Sequence, residues 1–335
     1  MKLLVLGGPK FVGRHLIDAA LAANHDVTVF NRGQTNPTAY PEVEKLRGDR
    51  DGGLTALQGR TWDAVIDTSG YLPRLVADSA RLLADQAGYY VFVSSISVYA
   101  SLAAAYQAES APVGQLADES VEEINGDTYG PLKALCEQAV ERYFPQRSLH
   151  VRAGLIVGPH DPTDRFSYWP WRIDQGGEAL APGAPDRPVQ IVDARDLAAW
   201  VMGMIATGQP GVFNVTGPAA PLTWGEMLAA CQTAAVKPAQ LTWVDDSFLL
   251  KQEVQPWRDL PLWVPASAGD MAGLYTVDCR RAIAAGLTFR PLAQTVADTL
   301  AWLQQRAEDW VGQVGLSAVR ETALLQAWRD SASER

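Results

Sequence analysis

A doubly wound parallel α/β sheet with a smaller C-terminal lobe is the fold this sequence predicts, on three observations. Short continuous apolar runs alternate with segments of helical periodicity up to residue 157, the pattern of parallel strands covered by helices on both faces. A glycine-rich turn directly follows the first apolar run and opens the first helical segment, as a phosphate-cradling strand–turn–helix unit requires. After Gly158 the texture changes to a stretch crowded with Pro, Gly and Trp, which predicts the loops of a separate lobe.

The elements follow in order. Residues 3–6 predict a strand, 12–23 a helix and 27–30 a second strand. A third strand is expected just before Gly48, and a fourth over 64–66, ending at Asp67. Residues 72–87 predict a helix, 90–93 a strand ending at Ser94 and Ser95, 132–143 a helix and 149–151 a strand. Strands return at 189–192 and 212–215 around a helix at 196–205, and 291–306 forms a late helix. A dinucleotide-binding domain is therefore expected over 1–157 with a return segment near 188–218. A substrate lobe with C-terminal helices is expected over 158–187 and 219–335. No internal repeat or low-complexity tract interrupts the pattern.

The chain has 335 residues and a formal net charge of −10. An acidic balance argues against a general nucleic-acid binder, which shows a basic patch. Three dispersed cysteines and four histidines have neither disulfide nor metal-ligand spacing, so no metal is expected. No apolar run approaches the roughly 20 residues of a membrane span, and the start reads as a strand instead of a signal peptide. A cytoplasmic protein with a small-molecule substrate is the expectation.

The turn Gly7-Gly8-Pro9-Lys10-Phe11-Val12-Gly13 offers helix N-terminal N–H groups and a positive dipole end to a pyrophosphate. Gly7 permits the tight turn and Gly13 close helix–strand packing. Lys10 stands where the usual middle glycine would be, and its side chain can reach the phosphates. The candidate contacts here are Gly7, Lys10, Phe11, Val12 and Gly13; the alternative is a glycine-rich loop with no ligand. An NAD site places a carboxylate about 20 residues on, whereas this second strand ends Phe30-Asn31-Arg32-Gly33. Asn31 can bond a hydroxyl or phosphate oxygen. Arg32 can pair with a 2′-phosphate, or stand solvated on the surface. NADP is therefore preferred, with NAD the alternative. Asp49, in Gly48-Asp49-Arg50, can receive an adenine amino group or simply serve a turn.

Tyr129 and Lys133 are four residues apart at the start of a helix and share a face. A nearby ammonium lowers a phenol's pKa toward the range useful for acid–base work. The buried run Val91-Phe92-Val93 ends in Ser94-Ser95-Ile96-Ser97-Val98-Tyr99, at the sheet edge where ligands bind. A serine there either bonds a substrate oxygen or caps the strand.

Together these residues resemble the short-chain dehydrogenase/reductase superfamily, in its extended, atypical branch of NAD-dependent epimerase/dehydratase type. The resemblance covers nearly the whole chain: 7–13, 63–68, 94–99, 129–133, 193–197 and 299–303. It implies a Rossmann-type fold, Tyr129 as acid/base, Lys133 as its partner, and Ser95, through the Ser-x-x-Val-Tyr pattern, as the carbonyl-orienting hydroxyl. Thr68 joins the implied cofactor contacts, and relatives often pair as homodimers. Dehydratases of the branch carry an Asp-Glu pair after the hydroxyl residue. Here those positions are Ile96 and Ser97, so a dehydratase is not expected. The leading function is hydride transfer to or from a sugar-like or other small carbonyl or hydroxyl substrate. An epimerase without net redox is the related alternative, and a non-catalytic NAD(P)-binding sensor or RNA-associated protein the distant one. On the substrate side Arg152, Arg165 and the aromatics of the loop-rich stretch are candidates, with Trp169 and Arg172 chosen as contacts.

Overall fold

The computed structural model describes residues 1–306 and 314–333; the predicted lobe at 219–335 includes 307–313, 334 and 335, which lie outside the described residues. Seven strands form one parallel sheet: β1 Lys2–Leu6, β2 Asp26–Asn31, β3 Glu44–Arg47, β4 Trp62–Asp67, β5 Ala87–Ser95, β6 Ser148–Ala153 and β7 Gly211–Val215. Their spatial order is β3-β2-β1-β4-β5-β6-β7. The chain moves outward from β1 to β3, then restarts at β4 on the other side of β1. That reversal opens a crevice at the carboxyl ends of β1 and β4, the general ligand position of such sheets.

Period-two alternation explains why the strands are apolar throughout. Leu3, Val5, Ala64, Ile66, Val91 and Val151 face Leu16 and Ile17 of helix α1 (Phe11–Ala22) and Leu197 and Val201 of a later helix. Leu4, Leu6, Val65, Tyr90 and Phe92 face the other way. There they meet Val76, Ala80 and Leu83 of α2 (Pro73–Leu83) and Cys136, Val140 and Phe144 of α3 (Tyr129–Tyr143).

Past β6 a second apolar cluster gathers around Phe166, Trp169, Trp224, Met227 and Leu262. It uses α4 (Tyr168–Asp174), a parallel strand pair Glu178–Pro182 with Gln240–Val244, and the helix Leu292–Gln304. The helix predicted at 196–205 is α5 (Ala194–Thr207), capped by the Asp193 carboxylate on the Arg195 N–H at 2.9 Å. Helix α6 (Trp224–Ala234) begins with a reciprocal cap between Thr223 and Glu226.

Two sequence expectations change. The helix predicted at 72–87 ends at Leu83, because Gln86 already accepts the Trp62 N–H and Ala87 pairs with Trp62. The strand predicted at 189–192 is two short pieces, Pro188–Val189 paired with Leu222–Thr223 and Val192–Asp193 paired with Ile156–Val157. No described helix is long and apolar enough to cross a membrane.

Candidate cofactor cleft and catalytic site

The glycine turn leaves β1 with Gly7 at φ +113°, where a Cβ would come within 2.4 Å of Thr68 Oγ1. Any side chain is thus opposed by both backbone and space. The Gly7 N–H donates to the Phe30 carbonyl at 3.0 Å, and the Gly13 N–H to the Lys10 carbonyl at 3.1 Å. Lys10 is the extended residue just before α1.

A cavity of about 350 Å³ opens at the ends of β1, β2 and β3. Gly7, Gly8, Lys10, Asn31, Arg32, Asp49, Arg50 and Ser69 are among its lining residues. Lys10 and Arg32 are exposed, and among the described residues neither side chain makes a hydrogen bond or ion pair. Asp49 is exposed and accepts the Asp51 N–H at 3.0 Å.

Several predicted contacts act from behind this surface. Asn31 donates from Nδ2 to the Gly7 carbonyl at 2.9 Å, while its Oδ1 accepts the Gly33 N–H at 2.8 Å and an Arg47 N–H. It therefore builds the pocket wall instead of presenting a free amide to a phosphate. Thr68 gives its hydroxyl to the Leu6 carbonyl at 3.1 Å and holds the turn in place. The Phe11 ring meets His15 edge-on, and Val12 packs on the core. Their backbone, at the start of α1, is what faces the turn.

Arg50 has no place in the sequence-derived site, yet it anchors the cleft floor. Its guanidinium grips the fully buried Asp67 carboxylate at 2.8 and 2.6 Å, and bonds Ser79 Oγ at 2.6 Å. Tyr90 donates to the same carboxylate at 2.8 Å. The pairing with Arg50 keeps Asp67 below the usual carboxylate range in spite of its burial. The signal is an Arg after Gly48-Asp49 and an Asp closing a buried strand. Pairing them requires the fold.

At the carboxyl end of β5, Ser95 accepts the Ser97 N–H on its hydroxyl at 3.1 Å, capping the short turn Ile96–Val98. Helix α3 begins against this turn at Gly130, where a Cβ would lie 2.0 Å from the Ser97 carbonyl oxygen. That close approach brings Tyr129 toward Ser95. Lys133, buried one helical turn on, donates to the Gly70 and Val93 carbonyls, each at 2.7 Å, over the face of Phe92. Burial pushes the Lys133 ammonium down to about 8. Burial also pushes the Tyr129 phenol up, with the Ser95 hydroxyl working the other way. The expected lowering of Tyr129 by Lys133 is thus not what this structure shows, because desolvation of the phenol dominates.

The substrate-side expectations are corrected. Trp169 has no exposed surface; it donates to the Pro261 carbonyl at 2.8 Å and packs edge-on against Trp224. Arg172 pairs with Glu321 at 2.7 Å and bonds the carbonyls of Gly176 and Glu178. Both hold the lobe's interior together. Arg152 is tied to buried Glu137 at 2.8 Å, which also accepts the Ser94 hydroxyl at 2.6 Å. Arg165 remains exposed, its guanidinium carbon 5.6 Å from the centre of the Trp257 ring.

Residues 3–216 match the model of the NAD dependent epimerase/dehydratase family. The chain belongs to this family. No match was found among curated protein sequences. Solved structures with this fold include MoeE5 in complex with UDP-glucose and NAD, at 17% identity and a TM-score of 0.64, covering 91% of this chain and 99% of that one. The Thermus thermophilus UDP-glucose 4-epimerase complex with NAD is 19% identical, with a TM-score of 0.63 over 92% of this chain and 100% of that one. The human epimerase family protein SDR39U1 (isoform 2) with NADPH is 19% identical, with a TM-score of 0.60 over 90% and 99% respectively. The family match accounts for the strand order and for the crevice between β1 and β4.

Proposed function

We propose that this family member is an NADP-dependent oxidoreductase of a small polar carbonyl or hydroxyl compound, with Tyr129 moving the proton. The observation that supports the reading is the approach of Tyr129 to Ser95 at the carboxyl end of β5, with buried Lys133 held on the Val93 carbonyl of the same strand, on the same sheet edge as the glycine-turn cavity. The cleft fits a dinucleotide. Gly7 takes a backbone conformation suited to glycine, the cavity of about 350 Å³ is of ligand size, and Lys10 and Arg32, unpaired among the described residues, stand on its rim.

When bound, a nicotinamide cofactor supplies the donor or acceptor of hydride. This chain's residues do the rest. The N-terminus of α1 and Lys10 hold the pyrophosphate. Arg32 pairs with a 2′-phosphate, and no carboxylate at the end of β2 opposes it. Asp49 receives the adenine amino group. Ser95 donates to the substrate oxygen. Tyr129, a phenol at neutral pH, gives its Oη proton to that oxygen as negative charge develops there, which suits carbonyl reduction. Lys133, anchored on the Gly70 and Val93 carbonyls, keeps a positive charge at the end of β5.

An epimerase is the second reading, favoured by UDP-glucose 4-epimerase among the structures of this fold. Dehydration is disfavoured because Ile96 and Ser97 offer no carboxyl group. The test is NADPH consumption over a panel of carbonyl compounds. Tyr129→Phe is expected to lower turnover by roughly 10²–10⁴-fold, and an unchanged rate would overturn the role of Tyr129. Product formation with no net NADPH use would select the epimerase. Arg32→Ala is expected to weaken NADPH binding at least about tenfold and leave NADH nearly unchanged; equal losses would overturn the 2′-phosphate assignment.

A further inference from the structure

We infer that Arg165, whose guanidinium lies over the Trp257 ring, is the anchor for an anionic oxygen group, carboxylate or phosphate, carried by the substrate. This deepens the oxidoreductase reading and rests on its placement of the reacting centre at Tyr129.

The guanidinium is exposed, and among the described residues it makes no hydrogen bond or ion pair. In a chain with 38 acidic and 28 basic residues, a guanidinium with no hydrogen bond or ion pair among the described residues calls for a reason. The acids of its own loop are already committed. Asp164 is fully buried and pairs with Arg306 at 2.7 Å. Asp161 is buried and accepts the Thr163 N–H at 2.8 Å, and burial pushes its carboxyl up to about 6. A cation–π contact with an indole face leaves a guanidinium's fork of N–H donors open to recognise carboxylate and phosphate.

The platform is fixed with respect to the reacting centre. Trp257 sits at φ +66°, in the left-handed region that bulky side chains avoid. It packs against the lobe's apolar cluster and also against the cluster containing Ile96, Val98 and Ala134. The latter residues belong to the Ser95 turn and to α3. Arg165 is close enough that its charge bears on both the Tyr129 and the Tyr275 phenols. A substrate that carries its anion away from the reacting carbon would span the two points.

The experiment titrates inorganic phosphate and malonate, separately, into the full chain saturated with NADP⁺, with binding heat as the readout. Arg165→Gln is expected to weaken the anion that binds by roughly ten- to a hundredfold, the worth of a charge-assisted contact. Arg165→Lys is expected to recover part of the affinity. Unaltered melting temperatures in both variants would show that the fold is intact, since the Arg165 guanidinium makes no hydrogen bond among the described residues. Tyr129→Phe is expected to bind the anion like wild type. Binding of neither anion by wild type, or equal binding by wild type and Arg165→Gln, would overturn the inference. Full turnover by Tyr129→Phe would instead overturn the catalytic reading, with the anion site still standing.

Discussion

Replacing Asp161 with Asn is expected to stabilise the protein at neutral and alkaline pH, and progressively less as the solution becomes acid. Asp161 is only 2% exposed, and burial lifts its carboxyl from the ordinary 3.8 to about 6. The folded chain therefore holds this proton more tightly than the unfolded chain does. As pH rises past 3.8 the unfolded state ionises first, so stability falls through the interval from 3.8 to about 6 and levels off above it. A shift of about 2 units, at roughly 1.4 kcal/mol each, makes the burden about 3 kcal/mol at pH 8 and about 1.5 kcal/mol at pH 5. The amide introduced by Asp161→Asn would keep an oxygen for the Thr163 N–H and never ionise. Urea unfolding of the two proteins at pH 5 and pH 8, followed by tryptophan fluorescence, reads the difference directly. A gain of equal size at both values, or a loss at pH 8, would refute the reasoning.

Three further outcomes follow from other parts of the molecule. Asp67→Ala strands the Arg50 guanidinium and is expected to cost about 3–5 kcal/mol of stability; a urea midpoint near that of wild type would contradict this. Gly130→Ala places a methyl group 2.0 Å from the Ser97 carbonyl oxygen. It is expected to cost roughly 1–3 kcal/mol and to lower turnover by parting Tyr129 from Ser95, and wild-type melting together with wild-type rate would count against it. Lys133 carries its proton below about 8 and loses it above, so turnover should fall as pH rises through that value. In Lys133→Arg this alkaline limb should vanish, and its persistence would assign the limb to another group.

The parallel sheet was legible because each central strand is buried on both faces. Leu3–Leu6 and Tyr90–Phe92 alternate between two cores and so read as unbroken apolar runs. The edge strand Glu44–Arg47 borders solvent and carries charges, so the sequence indicates only its approximate place. The glycine turn was legible through its spacing from predicted elements, and the same kind of spacing singled out Ser95, Tyr129 and Lys133 as candidates. What the spacing could not show was which polar atoms are already engaged. Asn31 and Thr68 lie at the cofactor cleft, yet spend their side chains on the backbone. The lobe was the hardest part, because a Trp or an Arg has the same letter in a core as at a surface. Trp169 and Arg172 turned inward, whereas Arg165 and Trp257, on either side of a long sequence gap, met at the surface.

The Asn31 bridge has a consequence for how a ligand arrives. One amide ties together the first turn, the end of β2 and the start of the next loop. These segments are therefore in place before any cofactor enters, and association need not immobilise them. Ordering a single free residue costs roughly 1–2 kcal/mol, so leaving a loop of several residues loose would erode much of the affinity of a dinucleotide. With the wall prebuilt, capture at this end of the cleft becomes a docking event limited by encounter and not by folding of the receptor. Removing the bridge would then slow arrival as well as loosen the complex.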